Sequence, residues 1–214
     1  MADWVTISSL ATAGGTLVLA VATFSSVRSA NRSARVAERS LLAGLRPILI
    51  PSNEDDPTER LRFGDEQMLT LAGHGGAIEV GRNAIYFAIG LRNGGSGVAV
   101  LHGWRVSPRR GAEQERPDLD SFHRQQLDLY IPAGAPGYWM GALRDPNEEG
   151  YKDVRQAALA NDLIQVDLLY GDHEGGQRTI TRFTLSPWMP GEEDREGKRA
   201  YTLRYWNVDR EDPR

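Results

Sequence analysis

Between Trp4 and Val27 the chain runs for twenty-four residues without a charged side chain, and the nineteen residues that follow hold Arg28, Arg32, Arg35, Arg39 and Arg46. At about 1.5 Å per helical residue such a run reaches roughly 36 Å, enough to cross a hydrocarbon core of about 30 Å with some tilt. Hydroxyls at Thr6, Ser8, Ser9, Thr12, Thr16, Thr23, Ser25 and Ser26 lower its hydropathy. Each can bond back to the carbonyl one turn earlier, so the cost is modest. A cleaved signal peptide would carry positive charge ahead of the apolar stretch, whereas Met1-Ala2-Asp3 offers only the α-amino group, opposed by Asp3. The run therefore predicts a retained transmembrane helix over residues 1–27, in preference to a buried helix of a soluble domain. Arginine-rich flanks are held on the cytoplasmic side. The asymmetry predicts a single pass through the cell (inner or plasma) membrane, with the N-terminus outside and the C-terminal domain cytoplasmic.

Residues 28–46 read as a basic juxtamembrane helical stalk, in which Ala30, Ala34, Ala37, Leu41 and Leu45 form one apolar stripe. Gly44 followed by Pro47 is a helix stop. The stalk carries +4 and Asp3 −1 of the chain's net −4, which leaves −7 for residues 47–214. So acidic a domain is a poor candidate for nucleic acid, whose phosphates it would repel. The stalk differs: Arg28, Arg32, Arg35 and Arg39 are expected to meet anionic lipid headgroups, at about 1 kcal/mol per basic residue near the surface. Cysteine is absent, in keeping with a reducing compartment. Lysine occurs only at Lys152 and Lys198, an arginine bias that points to a GC-rich bacterial genome.

Residues 47–214 are long enough for one domain with a substantial core. Pro47–Pro51, Gln67–Leu71 and Ala77–Val80 read as short strands, with an acidic loop over Ser52–Thr58. In Asn83–Arg92 the residues Ile85, Phe87, Ile89 and Leu91 share one face at period two, and Val98, Val100, Trp104 and Val106 do so on the next strand. Leu127–Ile131, Tyr138–Leu143, Ile164–Tyr170, Gln177–Leu185 and Ala200–Asn207 complete the series. One helix interrupts it, with Asp145 as N-cap, Pro146 at the first helical position, Glu148 at the third, and an apolar stripe of Tyr151, Val154, Ala158 and Leu159. The pattern predicts a mainly β protein: an antiparallel β-sandwich with one short helix covering its open end, behind the N-terminal transmembrane helix.

Asn93-Gly94-Gly95-Ser96-Gly97-Val98-Ala99 stands between the two clearest strands. Asn tolerates positive φ and the glycines let the chain reverse, so Asn93, Gly95 and Gly97 read as a structural turn. A phosphate-cradling loop would need a Lys-Ser/Thr ending or a following helix, and the segment has neither. This N-x-G-x-G-x-A turn, behind an N-terminal anchor and Arg46-Pro47 and ahead of a hairpin holding Arg178 to Phe183, resembles a broad group of uncharacterised bacterial, chiefly actinobacterial, single-pass membrane proteins. The resemblance implies a tethered, immunoglobulin-like sandwich and carries over no catalytic residue.

Candidate chemistry is sparse. His102 lies on the parity of Val100 and Trp104 and reads as a core-edge imidazole, while His74 and His123 fall in polar loops. Asp172, His173 and Glu174 crowd one turn, but adjacent hairpin residues cannot all converge on one ion. Glu192, Glu193, Asp194 and Glu196 are interleaved with Arg195, Lys198 and Arg199 and read as a solvated loop. Tyr201, Leu203 and Tyr205 share a face and read as core, leaving Trp206 and Trp188 as surface aromatics. The expectation is an interaction module without catalytic residues, cofactor or metal, whose partners are the lipid bilayer, its anionic headgroups and a protein, with no nucleic acid. Two rival expectations are a small metal-dependent hydrolase using the Asp172 turn, and an extracytoplasmic ligand-binding sensor.

Overall fold

A computed structural model describes residues 3–108, 115–189, 191–192 and 195–211, and the chain divides into two compact units, Met1–Gly44 and Leu45–Arg214. The first is one helix, α1 (Trp4–Gly44), long and apolar enough to cross a membrane. Its hydroxyls behave as expected of polar groups in an apolar helix: Thr12 Oγ1 donates to the Ser8 carbonyl and Thr16 Oγ1 to that of Thr12, both at 2.9 Å. Leu45 lies past the end of this helix, so the stalk's apolar stripe closes at Leu41.

The described residues of the second unit form twelve strands: β1 (Leu49–Pro51), β2 (Glu59–Arg62), β3 (Met68–Leu71), β4 (Gly75–Val80), β5 (Ile85–Asn93), β6 (Ala99–Pro108), β7 (His123–Arg124), β8 (Tyr130–Ile131), β9 (Pro136–Leu143), β10 (Ile164–Gly171), β11 (Thr179–Ser186) and β12 (Lys198–Asn207). One further helix, α2 (Tyr151–Leu159), follows β9. All pairings are antiparallel. Ten strands form one sheet in the order β1-β5-β4-β12-β11-β10-β6-β7, with β9 added to β5 and β8 to β6, while β2 and β3 make a separate hairpin. Among the described residues two pairs, Lys198 with Gly76 and Arg199 with Gly75, join β12 to β4. There the sheet bends, and its two halves face each other across a shared core. Ile85, Phe87, Ile89 and Leu91 of β5 meet Ile164, Val166, Leu168 and Tyr170 of β10 in that core, together with Trp139, Phe183 and Leu185.

The core-facing residues of β5 and β10 are those that period two selects. The opposite face of β5 is also buried: Tyr86 and Ala88 lie under the β2–β3 hairpin with Leu61, Phe63, Leu69 and Leu71. The sequence reading missed β2, because Glu59-Arg60-Leu61-Arg62 offers a single apolar residue for that face. Two irregularities reverse parity elsewhere. In β6, Leu169 pairs with Gly103 and Tyr170 with Leu101, so His102 is an extra residue. Ala99 and Leu101 therefore join the core before the irregularity and Trp104 after it, while Val100 does not. In β12, Arg182 pairs with Arg204 and Phe183 with Thr202, so Leu203 is extra and half-exposed. Trp206, expected at the surface, lies on the face opposite the main core and is buried there against Leu169 and Ile180.

The helix begins later than its sequence suggests. Asp145 accepts the Asn147 N–H on its side chain at 2.9 Å and the Glu148 N–H on its carbonyl at 3.1 Å, which makes a turn and not a cap. Gly150, at φ 82°, is the true N-cap residue. Tyr151, Val154 and Ala157 then point into the core, and Leu159 is exposed.

Candidate functional site

In α1 the guanidinium-bearing residues Arg28, Arg32, Arg35 and Arg39 recur at four, three and four residues, so they fall within one narrow stripe of the helix, all exposed. Ala30, Ala34, Ala37 and Leu41 occupy the opposite side. The helix thus presents a continuous row of positive charge immediately beyond its uncharged segment.

Asn93, Gly95 and Gly97 hold the point where the chain enters the second unit. The Asn93 carboxamide is fully buried and makes four hydrogen bonds: Nδ2 donates to Gly97 O at 2.7 Å and Ile131 O at 3.0 Å, and Oδ1 accepts from Gly95 N at 3.0 Å and Ile48 N at 3.2 Å. Gly94 N donates to Ile48 O and Ser96 N to Arg46 O. The turn lies so close to Leu45, Arg46 and Pro47 that a Cβ at Gly95 or Gly97 would overlap their backbone. The motif is a clasp on the incoming chain.

The Asp172 turn does not converge. Asp172 is buried and accepts from Gly176 N and Gln177 Nε2, both at 3.0 Å, whereas His173 and Glu174 are exposed and 3.3 Å apart. Among the described residues no group of three or more His, Asp or Glu side chains is arranged to hold a metal ion. Glu193 and Asp194 of the acidic loop lie outside the described residues. Arg195 of that loop pairs with Glu54 at 3.2 Å and stacks on Trp188 at 4.9 Å.

His102 is half-buried, and its Nε2 has no hydrogen-bond partner among the described residues. Burial, with Arg178 nearby, holds the imidazole below its ordinary value against the opposing pull of Asp172 and Asp209. Unfolding frees it to titrate near pH 6.5, so below that the unfolded chain binds more protons than the native one. Stability is expected to fall as the pH drops from about 6.5 toward the native imidazole's lower value, and His102→Gln is expected to reduce the slope. Thermal midpoints of both chains at about pH 7.5 and pH 5 check this.

The feature that sequence reasoning missed lies where the two ends of the sheet approach each other. Trp104 of β6 meets Trp139 of β9 edge-on at 5.6 Å, and the His123 ring stacks on Trp104 at 4.4 Å. Gln125 spans the seam: its Nε2 donates to Leu127 O at 2.8 Å and Met140 O at 3.5 Å, and its Oε1 accepts from Trp139 Nε1 at 3.2 Å. A groove of about 320 Å³ runs along this seam, and Arg124, Arg144, Phe63 and Leu127 are among its lining residues. On the other side of His123 lies a second cleft, of about 570 Å³, lined by Asp120, Glu148, Glu149, Asp153 and Arg105. His123 Nε2 lies 2.7 Å from Glu148 Oε1, so this residue divides a basic groove from an acidic one. Its place in a short polar stretch gave no sign of that. No family model matches the chain, and neither a curated protein nor a solved structure matches it.

Proposed function

We propose that this chain is a membrane-tethered interaction module: a domain without catalytic activity of its own, held at the cytoplasmic face of the cell membrane, where it recruits a protein partner. The observation that carries the reading is α1 itself, uncharged from Trp4 to Val27 and then lined on one side by Arg28, Arg32, Arg35 and Arg39. That order favours retention of the arginine end in the cytoplasm and its contact with anionic headgroups. The two grooves flanking His123 supply the domain with recognition surfaces of opposite charge. Face-to-face packing of the two sheet halves around one core supports reading the rolled sheet as an immunoglobulin-like sandwich.

The topology test is external protease on sealed cells expressing the full chain with a C-terminal fluorescent reporter. Protection of the domain together with a fluorescent reporter is expected. Digestion from outside, with internal controls intact, would favour the extracytoplasmic sensor. Replacing all four stalk arginines by glutamate is expected to produce mixed or inverted orientation in the same assay.

A further inference from the structure

Among the described residues the sheet leaves a long edge unpaired, and that edge lines the basic groove. Among the described residues strand β9 pairs with β5 along its whole length and with no other strand. In an antiparallel ladder the N–H and C=O of one residue point to the same side, and the side alternates along the strand. The Met140 carbonyl receives the Gln125 carboxamide, so Met140 points away from β5, and Tyr138 and Ala142 point with it. Among the described residues none of these three bonds to another main chain on that side. Such an edge is a template for a further extended chain.

The chemistry of the groove says what kind of chain. Arg124 and Arg144 line it, and no carboxylate does so among the described residues. Arg124 is exposed, and Arg144, about half-exposed, reaches Asp65 only at 3.4 Å. Leu127 is 65 % exposed. We propose that the groove binds an extended segment of a partner protein as an added strand on β9, and that this segment carries carboxylate side chains that meet Arg124 and Arg144. An incoming N–H would replace Gln125 as the donor to Met140, and the strand would lie about 4.8 Å from β9. This rests on the interaction-module reading for the partner's being a protein, and names how it is recognised.

The test uses the full chain in neutral phosphatidylcholine nanodiscs with three fluorescent peptides matched to β9 in length. These are an alternating Glu-Val peptide, its Lys-Val counterpart, and the Glu-Val peptide N-methylated at alternate amides. The Glu-Val peptide is expected to bind at least about tenfold more tightly than the Lys-Val peptide. N-methylation is expected to abolish binding, and amide exchange at Met140 and Ala142 to slow in the complex. Charge reversal by Arg124→Glu with Arg144→Glu, in a chain with unchanged near-UV dichroism, is expected to reverse the preference. Absence of binding, equal binding of the two charge types, or indifference to N-methylation overturns the proposal. Because the assay is independent of compartment, its failure leaves the topology result untouched. Capture of one cytoplasmic partner equally by the native and charge-reversed chains would overturn the groove while leaving the interaction module standing.

Discussion

Replacing Arg182 by methionine is expected to destabilise the domain by about 3–5 kcal/mol, because it strands a buried carboxylate. Arg182 and Asp167 face each other across β10 and β11, with side chains only 3 % and 1 % exposed. The fork is bidentate: Nε donates to Oδ1 at 2.6 Å and Nη2 to Oδ2 at 2.9 Å. The guanidinium also lies 5.0 Å from the centre of the Trp206 ring, which Arg204 approaches at 5.3 Å. Desolvation has already been incurred by both partners, so removing one leaves its cost without the compensating attraction. Removing both, as Arg182→Met with Asp167→Leu, is expected to recover most of the loss, since apolar residues of similar volume often replace a buried pair at little cost. Chemical denaturation of the full chain in detergent, followed by tryptophan fluorescence, measures all three. A single-variant loss below about 1 kcal/mol would mean that the pair is solvated, against the geometry described.

Legibility in the sequence followed the regularity of the backbone. Period two picked out the core faces of β5 and β10 because both strands keep an unbroken pleat, and the strands expected from Gln67 onward have counterparts in the fold, except that Leu127–Ile131 shortens to Tyr130–Ile131 and leaves Leu127 exposed. It failed at His102 and Leu203, where one extra residue exchanges the two faces for the rest of the strand. Trp206 reads as a surface aromatic because it lies on the face turned away from the main core, and it is buried because Leu169, Ile180, Leu119 and Phe122 pack on that face. The start of α2 was misplaced because Asp145-Pro146-Asn147-Glu148 satisfies the cap pattern and a tight turn equally well. The seam was not legible at all. It depends on Trp104, His123, Gln125 and Trp139 being brought together by the roll of the sheet, a non-local event with no periodic signature. Asn93 and its glycines were legible as a turn, but their partner segment was not, because hairpin chemistry does not say which strand will pass beneath it.

That partner segment makes Asn93 a second buried polar position whose loss is expected to be costly. Asn93→Leu keeps the side chain's approximate size and removes all four of its hydrogen bonds, leaving the N–H groups of Ile48 and Gly95 and the carbonyls of Gly97 and Ile131 without that partner. Each buried group left unpaired costs about 1–3 kcal/mol, so the total loss is expected to be at least about 3 kcal/mol. The effect should be directional as well as large. Ile48 lies next to β1, whose Leu49 N donates to the buried Tyr170 hydroxyl at 3.2 Å, and Arg46 donates to Asn207 at 2.9 Å, so loosening the clasp weakens the join between the entering chain and both sheet halves. Amide exchange at Ile48 and Ser96 is expected to accelerate more than at Leu168 or Phe183 in the centre of the core. Gly97→Ala should act on the same join by another route, since its new methyl group overlaps the Leu45 carbonyl and forces the turn away from the entering chain. If Asn93→Leu unfolds at the native midpoint with unchanged exchange at Ile48, the turn is an ordinary hairpin and the entering chain is held by β1 alone.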